Sequence, residues 1–140
     1  MKLHSQDPAD AVAYNIVDKG VHYRLSRNFK LHEFQSNDGS FAVLVHPALS
    51  YGFQKLRDDS GGEVYITSAH RTHAYNLTLP GAADESRHLY GMAGDVKSAV
   101  WTPPTVQEWA EENGWGGIGY YHKFTHLDVQ GKNRRWGPAL

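Results

Sequence analysis

The stretch GGIGYYHKFTHLDVQG limits the possible folds more than any other part of the chain. It carries two β-branched and aromatic runs, Ile118 to Tyr121 and Phe124 to Val129, separated only by His122 and Lys123. A connection this short joins antiparallel neighbours, since parallel strands need a crossover of a dozen residues or more. EVYITS, residues 63–68, reads as another strand, and DVKSAV, residues 95–100, as one that starts at its aspartate. Two amphipathic helices lie between them. HPALSYGFQKLRDDSGG puts Leu49, Phe53 and Leu56 at i, i+4 and i+7 and stops at Gly61 and Gly62. TPPTVQEWAEENG starts from a Thr102 cap with Pro103 in its first turn, buries Val106, Trp109 and Ala110, and exits at Gly114. Hairpin-linked strands with interspersed helices and no strict alternation predict an α+β fold: a small central antiparallel sheet with helices packed on it.

With 140 residues and no cysteine, the chain must be held by one apolar core, without disulfides or thiolate metal ligands. One globular domain is expected. The first 28 residues show no sustained period and are expected to form an N-terminal arm, extended or a β-ribbon, ahead of a domain over residues 29–140. FKLHEF, at residues 29–34, alternates at its start and reads as a short strand or extended entry. A net charge of −1 gives no electrostatic basis for a nucleic-acid partner or an anionic membrane surface. No run is long enough to cross a bilayer, and the N-terminus lacks the apolar core of a secretory signal. Synthesis in the cytoplasm without a signal peptide is therefore expected. The Asn76 sequon NLT then has no glycosylating context.

Histidine is the composition outlier, with nine residues. In SRHLYGMAGDVKS, His88 and Asp95 flank Gly91 and Gly94, whose freedom at unusual φ values would let a loop turn two ligands toward one ion. FTHLDV offers His126 as a third. Strand alternation puts His126 and Asp128 on one face, with Thr125, Leu127 and Val129 on the other. Two imidazoles and one carboxylate leave a fourth position open, the pattern of catalytic rather than structural zinc.

These residues also carry a resemblance. SRHLYGMAGD fills all the specified positions of the Ser-x-His-x-x-Gly-x-Ala-x-Asp signature of the D-Ala-D-Ala carboxypeptidase family of zinc peptidases, through Ser86, His88, Gly91, Ala93 and Asp95. ITSAHRTHAYN resembles that family's Ser-Gly-Tyr-Arg-Ser element, keeping Ser68 and Arg71 and placing His70 where tyrosine is usual. NFKLHEFQSNDGS and GGIGYYHKFTHLDVQGKNRRW are similar to the opening and closing segments of a compact peptidoglycan-peptidase branch. The resemblance runs in order from about Phe29 to Trp136 and implies a Hedgehog/DD-peptidase-like fold.

It further implies zinc as the cofactor, held by His88, Asp95 and His126, with Arg71 on a substrate carboxylate and Ser86 as a hydrogen-bond partner for substrate. His70 and His73 flank Arg71, and His70 is expected to line the substrate cleft. The implied activity is hydrolysis of an amide bond in peptidoglycan stem peptides, as a D,D-carboxypeptidase or endopeptidase, at the cell wall or periplasm. A monomer is expected, and the lack of a signal peptide together with the small size suggests a phage or prophage lytic factor, or an enzyme moved by another route.

One position departs from the family's pattern. Many members carry an acidic general base three residues before the last histidine, where this chain has Lys123. Asp128 is then the nearest acidic candidate, either as the catalytic base or as a residue orienting a ligand imidazole. The alternative reading is a catalytically weak zinc module that binds cell-wall peptide or a protein partner. His122 is expected to be a solvent-exposed turn residue, and the tryptophans core or sheet cover. Asp84 and Glu85 are assigned no role.

Overall fold

The computed structural model describes residues 1–83 and 86–140. The two residues between, Asp84 and Glu85, to which no role is assigned, lie outside the described residues. In chain order the elements are β1 (Val12–Asn15), α1 (Ile16–Lys19), β2 (Arg24–Ser26), β3 (Phe29–Lys30), β4 (Ala42–Val45), α2 (Pro47–Ser60), β5 (Val64–Ser68), α3 (His73–Thr78), β6 (Ala93–Ser98), α4 (Pro103–Glu112), β7 (Gly117–Tyr120), β8 (Thr125–Asp128) and β9 (Arg134–Trp136). Short 3-10 turns occupy Leu31–Phe34 and Arg87–Tyr90. No helix of the described residues is long and apolar enough to cross a membrane.

The main sheet has the order β5-β6-β8-β7-β9. Its first three pairings are antiparallel, as the hairpin argument predicts, but β9 runs parallel to β7. After β8 the chain reverses through residues 129–133, where Gly131 and Asn133 take positive φ, and crosses to the far side of β7. A strand that reverses from β8 must run in the direction of β7.

Helix α2 forms where its stripe requires, with Leu49, Phe53 and Leu56 fully or almost fully buried. Gly61 closes it in the left-handed conformation. Its passage over the sheet depends on Gly94: a Cβ there would come within 2.6 Å of the Phe53 ring. Gly94 thus serves by leaving room rather than by an unusual φ, a correction to the role read from sequence. Helix α4 buries Val106, Trp109 and Ala110 as expected, and also Gln107, whose amide donates to the Tyr121 carbonyl and to Thr125 Oγ1. The sheet therefore has a core face, carrying Val96, Ile118 and Leu127 under the helices, and an opposite face free for chemistry.

FKLHEF is strand only at Phe29 and Lys30; Leu31 to Phe34 turn into a 3-10 helix so that both Leu31 and Phe34 reach the core. The first 28 residues are packed onto the remainder. β1 pairs with β4, β2 pairs with β3, and Leu3 and Ile16 are buried. Ser5 and Gln6 donate backbone bonds to Gly131 and Val129, and Gly116 donates to Leu3.

Candidate metal centre

One row of residues crosses all five strands of the main sheet. Ser68 on β5 stands opposite Asp95 on β6, Asp95 opposite His126 on β8, His126 opposite Gly119 on β7, and Gly119 opposite Trp136 on β9. A second row lies two residues along on the same face: Ala93, Asp128, Gly117 and Arg134. The period-2 alternation of strands puts both rows on the face opposite the core.

His88 reaches this face from the 3-10 turn Arg87–Tyr90. Ser86 caps that turn by accepting from the His88 amide, and Gly91 ends it at φ 69°, a conformation that favours glycine. Space fixes the same choice, because a Cβ on Gly91 would lie 2.5 Å from the Leu44 carbonyl oxygen. The His88 ring is then held from behind, its Nδ1–H donating to the Ala69 carbonyl at 2.6 Å. That bond leaves Nε2 with its lone pair toward Asp95, at 3.4 Å from Oδ1.

His126 is held the same way by a different partner. Its Nε2 bonds Asp128 Oδ2 at 2.8 Å and its Nδ1 lies 3.1 Å from Asp95 Oδ1. His88, Asp95 and His126 each offer one ligand atom, all within 4.8 Å of one another. Zinc–ligand bonds of 2.0–2.2 Å set tetrahedral edges of about 3.3 Å, so spacings of 3.1 and 3.4 Å fit a zinc ion. Both imidazoles also have the outer partners that metal-ligating histidines need. The residues present therefore fit the metal.

The electrostatics follow from this packing. Burial pushes the Asp95 carboxyl up, but its contacts with His126 and His88 outweigh that and hold it well below the usual carboxylate range. Burial drives His88 down, only partly opposed by Asp95. Burial also disfavours the His126 cation, yet carboxylates on both ring nitrogens win and raise it to about 9.

The three residues open on a cleft of about 460 Å³. Arg71 lines it, its Nε donating to Ser68 Oγ at 3.2 Å and its Nη2 to Asp95 Oδ2 at 3.4 Å. Ser86 lines it as well. His70 is buried away from the cleft; its amide donates to Phe34 and its ring lies toward Asp38 and Ala42, so burial lowers its pKa. His70 was expected to line the cleft; the chain turns after β5 so that its ring is buried and is not among the described lining residues, whereas Arg71 is.

Asp128 shares a face with His126 as alternation predicts, but it does not open on the cleft. It is wholly buried, with Oδ1 accepting from Arg134 Nη1 at 2.9 Å and Oδ2 engaged by His126. Lys123 sits with Lys97, Trp101 and Pro103 around a separate small cavity, and exposed His122 lies around another with Gln107 and Tyr120.

Several cleft residues escaped the sequence reading. Tyr121 and Phe124 stack at 4.5 Å and form one wall. Trp136 packs 4.9 Å from the His126 ring, donates to the Tyr121 hydroxyl, and carries the Arg134 guanidinium 5.1 Å from its own ring. The period-2 spacing of Arg134 and Trp136 was the available signal, but nothing in it tells which strand they join.

A family model described as Peptidase M15 matches residues 25–128. The match covers well over half of the chain and includes His88, Asp95 and His126, and the chain belongs to the M15 peptidases. No curated protein matches it.

Proposed function

We propose that this M15 peptidase hydrolyses an amide bond in peptidoglycan stem peptides, as a D,D-carboxypeptidase or an endopeptidase, with zinc held by His88, Asp95 and His126. The observation that carries the reading is the convergence of His88 Nε2, Asp95 Oδ1 and His126 Nδ1, with Ala69 and Asp128 behind the two rings. Zinc bound there supplies a Lewis acid for the scissile carbonyl and lowers the pKa of a water toward about 7.

The chain's own groups have distinct tasks. Ala69 keeps a proton on His88 Nδ1, and Asp128 keeps one on His126 Nε2, so each ring presents a lone pair on its other nitrogen. Asp128 is here a positioning residue: both its oxygens are engaged below the cleft floor. Arg71 holds a substrate carboxylate by charge-assisted bonds, a role its guanidinium fork suits. The Ser86 oxygen accepts from the His88 amide, which leaves its hydroxyl proton for a substrate carbonyl. The wall of Tyr121, Phe124 and Trp136 excludes water from the side opposite Arg71. The wall-directed activity further suggests a phage or prophage lytic enzyme acting as a monomer at the cell wall or periplasm.

A second reading is favoured by one observation. Among the described residues lining the cleft, Asp95 is the only carboxylate, and none of those residues offers a free acidic base to the metal position. A zinc module that binds wall peptide and cleaves it weakly would share this arrangement.

A mass-spectrometric digest of purified stem peptides by the zinc-loaded protein, beside His126→Ala, separates the two. Loss of D-alanine or scission at one bond, absent in the variant, supports the hydrolase. No cleavage by protein holding stoichiometric zinc favours the binding module.

A further inference from the structure

Three guanidinium groups line the cleft, against a single carboxylate among the described lining residues. In a chain whose net charge is −1, this is a local excess of positive charge among the described residues. Two of the three are committed. Arg71 is tied to Ser68 and Asp95, and Arg134 to Asp128 and the Gln130 carbonyl. Arg87 has no such partner: its Nε is shut off from solvent with no acceptor, and no hydrogen bond or ion pair engages the rest of its guanidinium among the described residues.

A buried N–H donor without a partner costs free energy, and proteins keep few of them. The turn that carries Arg87 has ample reason to be ordered, since the next residue is a metal ligand, but that order does not require a guanidinium here. An acceptor that arrives with the ligand would engage the two terminal nitrogens of the fork, which are not shut off as the Nε is.

We propose that Arg87 is a second carboxylate-binding residue of the cleft, selecting peptides with a free carboxylate apart from the one assigned to Arg71. This rests on the stem-peptide reading above. In such peptides a γ-linked glutamate leaves its α-carboxylate free, a planar group that a guanidinium fork binds through two parallel bonds. Conversion of that carboxylate to a carboxamide removes the charge and replaces one acceptor with a donor, which Arg87 cannot accommodate.

The test uses two synthetic peptides, L-Ala-γ-D-Glu-L-Lys-D-Ala-D-Ala and its counterpart with the glutamate α-carboxylate amidated. Equilibrium binding of each to the zinc-loaded protein is measured by calorimetry for the unsubstituted chain, Arg87→Gln and Arg87→Lys. The unsubstituted protein is expected to favour the acid by about tenfold, the scale of a charge-assisted bond. Arg87→Gln should bring the ratio close to one, with Arg87→Lys between. The ratio is internal to each protein, so partial loss of folded material does not move it. No discrimination by the unsubstituted protein, or an unchanged ratio in Arg87→Gln, overturns the assignment. Cleavage is scored separately: discrimination in binding without scission of either peptide sinks the hydrolase reading and leaves Arg87 standing.

Discussion

Arg134 bonds Asp128 from two strands away, across Gly117. The glycine is what makes the contact possible, because a Cβ at residue 117 would fall on the Asp128 carboxylate itself. Gly117→Ala should therefore displace a buried charge from both of its partners. We expect a loss of about 1–3 kcal/mol of stability, typical of overpacking, together with weaker zinc binding. Thermal denaturation and a chelator-competition titration on the same preparation check both. Unchanged zinc affinity would mean that Asp128 has no part in holding His126.

Asp128→Asn tests the same link without added volume. The amide can still face His126 Nε2 with its oxygen, but it no longer carries the charge that Arg134 and the imidazole share. Zinc affinity should fall by about 10–100-fold, the usual effect of losing an outer partner of a ligand histidine. Arg134→Gln should lower stability by leaving Asp128 with less compensation in a wholly buried site. Competition with a fluorescent zinc chelator, and urea denaturation for the second variant, give the two magnitudes.

Removal of the metal should be visible as lost stability. A ligand bound only by the folded state stabilises it by about 2.7 kcal/mol at a concentration one hundred times its Kd. The unsubstituted protein should melt at a higher temperature with zinc than after chelation. His88→Ala, Asp95→Ala and His126→Ala should each abolish that difference, because each removes a member of the converging set. A zinc-dependent shift that persisted in all three variants would place the metal elsewhere.

Helix α2 supplies a pH dependence remote from the metal. Its N-cap is His46, whose Nδ1 accepts from the Ala48 amide, a role open only to the neutral ring. Burial lowers the His46 pKa, with Asp7 and Asp10 opposing. The unfolded chain thus binds this proton more readily than the folded one does. The contribution is fully present above the unfolded value of about 6.5 and is lost as pH falls from there through the folded pKa. His46→Asn keeps a capping oxygen and should flatten stability across that window in denaturant titrations. An equally steep profile in the variant would assign the pH dependence to other groups.

The elements legible in the sequence are those whose side chains answer to a local period. Leu49, Phe53 and Leu56 specify α2 by spacing alone, and the short link between β7 and β8 leaves only a hairpin. The meeting of His88, Asp95 and His126 was legible because one motif and one strand carry all three. What local pattern could not supply was partnership between distant strands. Nothing in RRW says that it lies parallel to β7, so Trp136 over His126 and Arg134 under Asp128 went unread. Alternation correctly paired Asp128 with His126 on one face, but depth within that face depends on Arg134 and Gly117. His70 misled for a similar reason, since its inward turn is set by a bond to Phe34, far away in the chain.

Strand β9 lies at the end of the order β5-β6-β8-β7-β9 yet supplies the cation beneath His126 and the ring beside it. Translation proceeds from the N-terminus, so His88, Asp95 and His126 all leave the ribosome before the strand that steadies them. A nascent chain that has exposed residues 1–128 holds every ligand but has Asp128 without its guanidinium and His126 without its cover. The centre reaches its described form only once residues 134–136 are free to dock along β7, after all three of its ligands have been made.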